Sequence, residues 1–208
     1  MLSNFCNNKR ASHQRGFTII EVLVSIVIFS IGLIGVARLQ VVAKQSNYDA
    51  VQRVTATAIA QDLIARMRSN ADQLGAYITN SGTRTITYAD NTSEPSPVCD
   101  GNNACTAAQL AAHDLWEIEQ DLLGVAEQDA NGNGTGGLSQ ATVCITATDE
   151  SGAAVSGGSA YYTVAIAWRG KADLSNPILS TCGQTSGWYG TSNEYRRLLV
   201  MSTFITTM

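Results

Sequence analysis

Proline is scarce in this chain of 208 residues, with three in all and none before Pro95. Histidine is scarcer still, with only His13 and His113, which leaves little material for a histidine-built zinc site or catalytic triad. The chain also lacks a basic excess. Its net charge of −4 argues against nucleic acid as a partner. Mean hydropathy of +0.01 leaves room for one long apolar run at most, so a polytopic membrane protein is excluded. What is present is ordinary for a folded chain, 45% hydrophobic and 14% charged residues, which excludes wholesale disorder. Length alone allows one large domain or two small ones.

The averages conceal an asymmetry. Residues 1–16 contain Lys9, Arg10 and Arg15 and no acid, a charge of +3. Residues 17–37 then read FTIIEVLVSIVIFSIGLIGVA, with Glu21 as the single charge. A helix of that length reaches about 31 Å, enough to cross a bilayer core. The positive cluster before it keeps the start of the chain cytoplasmic. A cleaved secretory signal ending at Gly35-Val36-Ala37 is the rival reading. The length of the run and the glutamate inside it count against that rival.

Glu21 is the most informative residue. A carboxylate near the bilayer costs about 2.5–3.5 kcal/mol even on lenient insertion scales. No Lys, Arg or His lies in residues 17–37 to pair with it. Cleavage after Gly16 would supply one, because Phe17 would carry a free α-ammonium four residues away. The pair could close within one helical turn or between two chains, where it would fix axial register. A glutamate snorkelling to the interface is the plainer alternative.

The stretch Arg15-Gly16-Phe17-Thr18-Ile19-Ile20-Glu21-Val22-Leu23-Val24 closely resembles the type IV prepilin signature. That signature combines a basic leader ending in Gly, a hydrophobic first mature residue and Glu at the fifth mature position. The resemblance implies cleavage between Gly16 and Phe17 by a prepilin peptidase and N-methylation of Phe17. It also implies that the apolar helix packs into a filament core, with Glu21 neutralising the Phe17 amine of a neighbouring subunit. Methylation leaves that amine charged. Removing the leader leaves 10 basic residues against 17 acidic ones, a mature charge of −7.

The helical pattern continues past the apolar span, since residues 38–69 hold neither proline nor glycine. Ala56, Ile59, Ala60, Leu63, Ile64 and Met67 mark one apolar face, with Gln61, Asp62 and Arg66 off it. An unbroken helix from Phe17 to about Ser69 would run roughly 80 Å, with Gly32 and Gly35 as points where it can bend. Pilins commonly carry prolines in this helix. Their lack here points to a minor subunit rather than the major one. Residues 60–70, AQDLIARMRSN, resemble the same stretch of PilV-type minor pilins. Arg66 and Arg68 would in any case suit the negative end of the helix dipole.

The expected division is a leader at 1–16, a membrane and assembly helix at 17–37, its continuation at 38–70 and a head at 71–208. Within the head, TRTITY at 83–88 alternates as a short strand. Thr106 and Gln109 form a capping box for a helix whose apolar face is Ala111, Leu115, Ile118 and Leu122. Residues 141–148, 161–168 and 196–206 complete the strands. The expected fold is α+β, a type IV pilin fold in which the long N-terminal helix packs on a small antiparallel sheet.

Cys6 would leave with the leader, so Cys99, Cys105, Cys144 and Cys182 remain on the oxidising side of the membrane. Four cysteines allow three pairings. The favoured one joins Cys99 to Cys105 and Cys144 to Cys182. Zinc is disfavoured because no Cys-x-x-Cys occurs. Residues 132–137 fit a GxGxxG pattern but follow a helix end and open no helix, which is the wrong setting for a dinucleotide. Residues 129–140 begin like a calcium loop but offer Gln140 where a glutamate is needed. His113, Asp114, Glu117 and Asp121 are expected on an outward, solvent-facing side of their helix. No nucleophile–base arrangement suggests an enzyme, and neither cofactor nor metal is expected.

The resemblance thus implies a minor pilin of the PilV type (a type IV pilus modification protein). It would wait in the inner membrane with its head in the periplasm, then enter the cell-surface pilus. Its expected partners are the prepilin peptidase, other minor and major pilins, and inner-membrane lipid before assembly. Its roles would be pilus assembly or initiation and pilus-dependent adhesion or twitching motility. A minor pseudopilin of a type II secretion system shares the same amino-terminal physics and is the alternative. A DNA-uptake or adhesive module on the same stem, and a membrane-tethered enzyme, are the more distant readings.

Overall fold

The computed structural model describes residues 16–207 apart from 80, 91, 100, 102 and 133. The leader residues Cys6, Lys9, Arg10, His13 and Arg15 lie outside that description. The chain divides between Lys44 and Gln45 into two compact units.

One helix, α1 (Ile19–Ser69), contributes to both units. Up to Lys44 every described residue is exposed, including Ile19, Leu23, Ile26, Phe29, Ile34 and Leu39. Among the described residues of this unit none covers these side chains, and so large an apolar surface suits lipid or the flank of another chain. This helix is long and apolar enough to cross a membrane.

From Gln45 onward α1 is amphipathic. Gln52, Ala56, Ile59, Ala60, Leu63, Ile64 and Met67 are buried, the helical stripe with Gln52 added one turn before it. After α1 the chain makes a 3-10 turn (Ala71–Ala76), then β1 (Thr83–Thr87), α2 (Ala107–Leu123), β2 (Thr142–Thr148), β3 (Ala160–Arg169) and β4 (Arg196–Ile205). The strands form one antiparallel sheet in the order β1-β2-β3-β4.

Side-chain alternation sorts the sheet into two faces. Val143, Ile145 and Ala147 of β2 join Tyr162, Val164, Ile166 and Trp168 of β3 in the main core beneath α1 and α2. Ala165 and Ala167 face the other way, onto Cys182 and Tyr189 of the β3–β4 connection. That second small core explains why β3 is apolar on both sides. The disulfide Cys144–Cys182 fastens the connection to β2, and Cys99–Cys105 closes a six-residue separation before α2.

The α2 ends follow local rules. Thr106 accepts from the Gln109 amide while the Gln109 side chain accepts from the Thr106 amide, the full capping box. Gly124 ends the helix in the left-handed region at φ 67°. A Cβ on Gly124 would lie 1.9 Å from the Gly137 nitrogen, and one on Gly137 would lie 2.2 Å from the Leu122 carbonyl. Gly134 and Gly137 therefore serve backbone-on-backbone packing against the end of α2, with Leu138 N donating to Leu122 O at 3.0 Å. Gln52 of α1 locks the same turn, donating to Gly137 O (3.1 Å) and accepting from Ser139 N (3.0 Å).

Candidate functional site

The structure separates two sets of functional side chains. Gly16, Phe17 and Glu21 lie at the start of the chain's apolar unit, and all three are exposed. Thr18 opens α1, its carbonyl accepting from the Glu21 amide at 3.1 Å and from the Val22 amide at 3.3 Å. Among the described residues Glu21 forms no ion pair. Its neighbours along a shallow groove are Phe17, Val22, Ser25, Ile26 and Phe29. An unpaired carboxylate in that setting needs a cation from elsewhere before the helix can be buried.

The second set joins α1 to α2 inside the head. Arg66 bonds Asp62 one turn earlier at 2.7 Å, then reaches α2, donating to Asp114 at 3.0 Å and to Glu117. Burial by itself would lower the arginine's pKa, but hydrogen bonds to Asp62, Glu117 and Asp114 carry it above the usual range. Asp114 also accepts from the hydroxyl of Tyr77, a fully buried residue after the 3-10 turn. Burial raises the Tyr77 pKa, and the Asp114 acceptor raises it further. Asn70 completes the junction, donating to the Tyr77 oxygen (3.3 Å) and to Ala107 O (2.8 Å).

This corrects the expectation for α2. His113 and Asp114 do not face solvent, for both are 5% exposed. The reason is that α2 is covered on two sides. Its apolar stripe meets the core, while the segment before it folds back across the helix. There Thr92 N donates to Glu119 (2.7 Å) and Trp116 Nε1 donates to Thr92 O (3.1 Å). His113 lies between Glu94 (3.7 Å) and Glu117 (3.8 Å) and beside the Trp116 ring. Arg66 likewise does more than offset a helix dipole. Its partners stand 48 and 51 residues away in sequence, so local spacing carried no sign of them. Among the described residues no group of three or more His, Cys, Asp or Glu is placed to hold a metal ion.

Geometry of this kind makes a helix whose first half is apolar and exposed and whose second half is riveted into a disulfide-bonded head. Residues 11–37 match the family model for the prokaryotic N-terminal methylation motif. Residues 38–116 match the family model described as Type IV pilin Tt1218. The chain has a type IV pilin fold behind a prepilin-type methylation motif. The two matches meet at the boundary 37/38, so together they cover the apolar helix, its continuation, β1 and the first half of α2. The motif implies processing by a prepilin peptidase and assembly with other pilins. The type IV pilin family is structural rather than enzymatic. No curated protein and no solved structure matches the chain.

Proposed function

We propose that this chain is a type IV pilin, a minor subunit of the PilV kind, cut between Gly16 and Phe17, N-methylated on Phe17 and then incorporated into the pilus. Before assembly α1 holds it in the inner membrane with the head in the periplasm. During assembly the helix passes from lipid into the filament core. The observation that carries this reading is Glu21, a carboxylate with no cation among the described residues, on a helix whose apolar side chains are all exposed. A neighbouring subunit's Phe17 ammonium supplies both the missing charge and the axial register. The lack of proline before Pro95 supports a minor rather than a major role. Such a subunit would act in pilus assembly or initiation and, through its head, in adhesion or motility.

Mass spectrometry of the protein recovered from membranes and sheared pili tests the reading. The expected N-terminus is Phe17 carrying one methyl group. An intact leader, or an N-terminus after Ala37, would refute it.

A further inference from the structure

Arg84 of β1 is poorly satisfied beside the other sheltered arginines of the head. Arg66 meets three carboxylates. Arg196, fully buried at the start of β4, donates to Asn176 Oδ1 (2.9 Å), Ser180 O (2.9 Å), Cys182 O (2.6 Å) and Pro177 O. Arg84 is half-buried, and the one hydrogen bond its side chain makes among the described residues runs from Nη2 to Ala76 O at 3.2 Å. Its Nε is buried with no acceptor among the described residues. Burial pushes its pKa down, and no neighbouring carboxylate offsets the shift.

Arg84 lines a cleft of about 290 Å³ between β1 and α2, near the lower end of the range for ligand pockets. Asp90, Ser93, Leu115, Trp116 and Glu119 share its walls. Among the described residues Arg84, Asp90 and Glu119 form no ion pair, with one another or with any other group. Asp90 accepts instead from Thr87 N (2.7 Å) and Thr87 Oγ1 (2.8 Å). Glu119, only 2% exposed, accepts from Thr92 N (2.7 Å) and Thr92 Oγ1. A carboxylate oxygen has two lone pairs, so both acids retain acceptor capacity. The Trp116 indole N–H is taken by Thr92 O at 3.1 Å, which leaves the apolar surface of the ring for a ligand. The bonds to Thr92 also tie the wall carrying Ser93 to α2, so the cleft is formed before anything enters it.

This mixed lining selects the chemistry of a ligand. An anion drawn to Arg84 would meet Asp90 and Glu119, and a cation drawn to those acids would meet Arg84. A wholly apolar ligand would strip water from all three charges and return nothing. A hydroxyl both donates and accepts, so a polyol can serve a guanidinium and a carboxylate together. An apolar face on the same molecule would cover Leu115 and the Trp116 ring. A sugar ring combines the two, with C–H groups on its faces and hydroxyls around its rim.

We infer that this cleft binds a neutral hexopyranose, its hydroxyls serving Arg84 and the two carboxylates and one ring face lying against Trp116. The site lies wholly within the head and does not depend on how α1 assembles. Saturation-transfer NMR on the full chain tests it, with glucose, galactose, mannose and N-acetylglucosamine added in turn. Lauryldimethylamine oxide holds the chain in solution, so no sugar from the detergent competes. At least one of the four should receive saturation, strongest on the C–H protons of one ring face and unchanged by salt. The signal should fall several-fold in Arg84→Gln and in Ala112→Trp, which fills the cleft from an exposed position of α2. It should persist in Glu150→Trp, at an exposed turn outside the cleft. The melting temperature of each variant is measured alongside, and if Arg84→Gln does not fold then Ala112→Trp decides. No transfer to any of the four sugars would overturn the inference, as would transfer that survives Ala112→Trp. Transfer to acetate or glycine in place of the sugars, lost in Arg84→Gln, would make the cleft an ion-binding site and overturn it equally.

Discussion

Asp114→Ala tests whether the α1–α2 junction holds the head together. The Asp114 side chain is 7% exposed and accepts from two groups, Arg66 and Tyr77. Removing it leaves the Tyr77 hydroxyl fully buried with no acceptor, because Asn70 is a donor to that oxygen. An unsatisfied buried donor costs about 1–3 kcal/mol, and a lost hydrogen bond to a charge adds about 1 kcal/mol when other partners remain. Arg66 does keep Asp62 and Glu117. The expected loss is therefore about 3 kcal/mol, or about 6–12 °C in melting temperature for a chain of this size. Glu117→Ala removes a partner that is 38% exposed and should cost under about 1 kcal/mol. Adding Tyr77→Phe to Asp114→Ala should recover part of the loss, since it deletes the stranded donor. The assay is urea unfolding of the full chain in detergent, followed by the fluorescence of Trp116, Trp168 and Trp188. A loss at Asp114 no larger than that at Glu117 would refute the reasoning.

Other perturbations probe separate parts of the molecule. Reducing the disulfides should expose unequal contributions, because loop-closure entropy grows with separation. Removing Cys144–Cys182, which spans 38 residues, should cost about 4 kcal/mol, against about 2 kcal/mol for the six-residue Cys99–Cys105. Equal effects in paired Cys→Ser variants would contradict that ranking. Burial pushes the Tyr189 phenol up to about 12. The unfolded chain releases this proton near pH 10, so the stabilising contribution is complete below that value. It is lost as pH rises from about 10 through 12, about 2–3 kcal/mol in all. Tyr189→Phe should flatten that alkaline slope in pH-dependent unfolding, and an unchanged slope would place its origin elsewhere. Glu21→Ala should leave cleavage and methylation intact yet deplete the protein from sheared pili, measured by immunoblot. Normal incorporation would remove Glu21 from the assembly mechanism.

Much of the head was legible because local rules act on neighbours. The stripe from Ala56 to Met67 was readable as an apolar face because helical spacing determines which residues share one side. Thr106 and Gln109 were readable because a capping box is closed within four residues. The polar side of α2 was not legible. Whether His113 meets water depends on the path of the segment carrying Thr92 and Glu94, and whether Asp114 does depends on Arg66 and Tyr77; no periodicity in α2 encodes either. The glycines at 132–137 excluded a dinucleotide site by their setting. Their purpose emerged only from the contact of Gly137 with the end of α2.

By itself the sequence determined that this chain has an apolar helix with one unpaired acid behind a basic leader. Those features depend on residue type and spacing along a single strand of chain, so hydropathy and charge suffice to find them. The tertiary structure alone decided what Arg66, Tyr77 and Arg196 do. Tyr77 and Arg196 are buried and Arg66 is half-buried, and each meets partners from other segments of the chain. Such groups must be satisfied wherever the fold happens to bring acceptors, and that depends on the packing of α1, α2 and the β3–β4 loop, which spacing along the chain does not record.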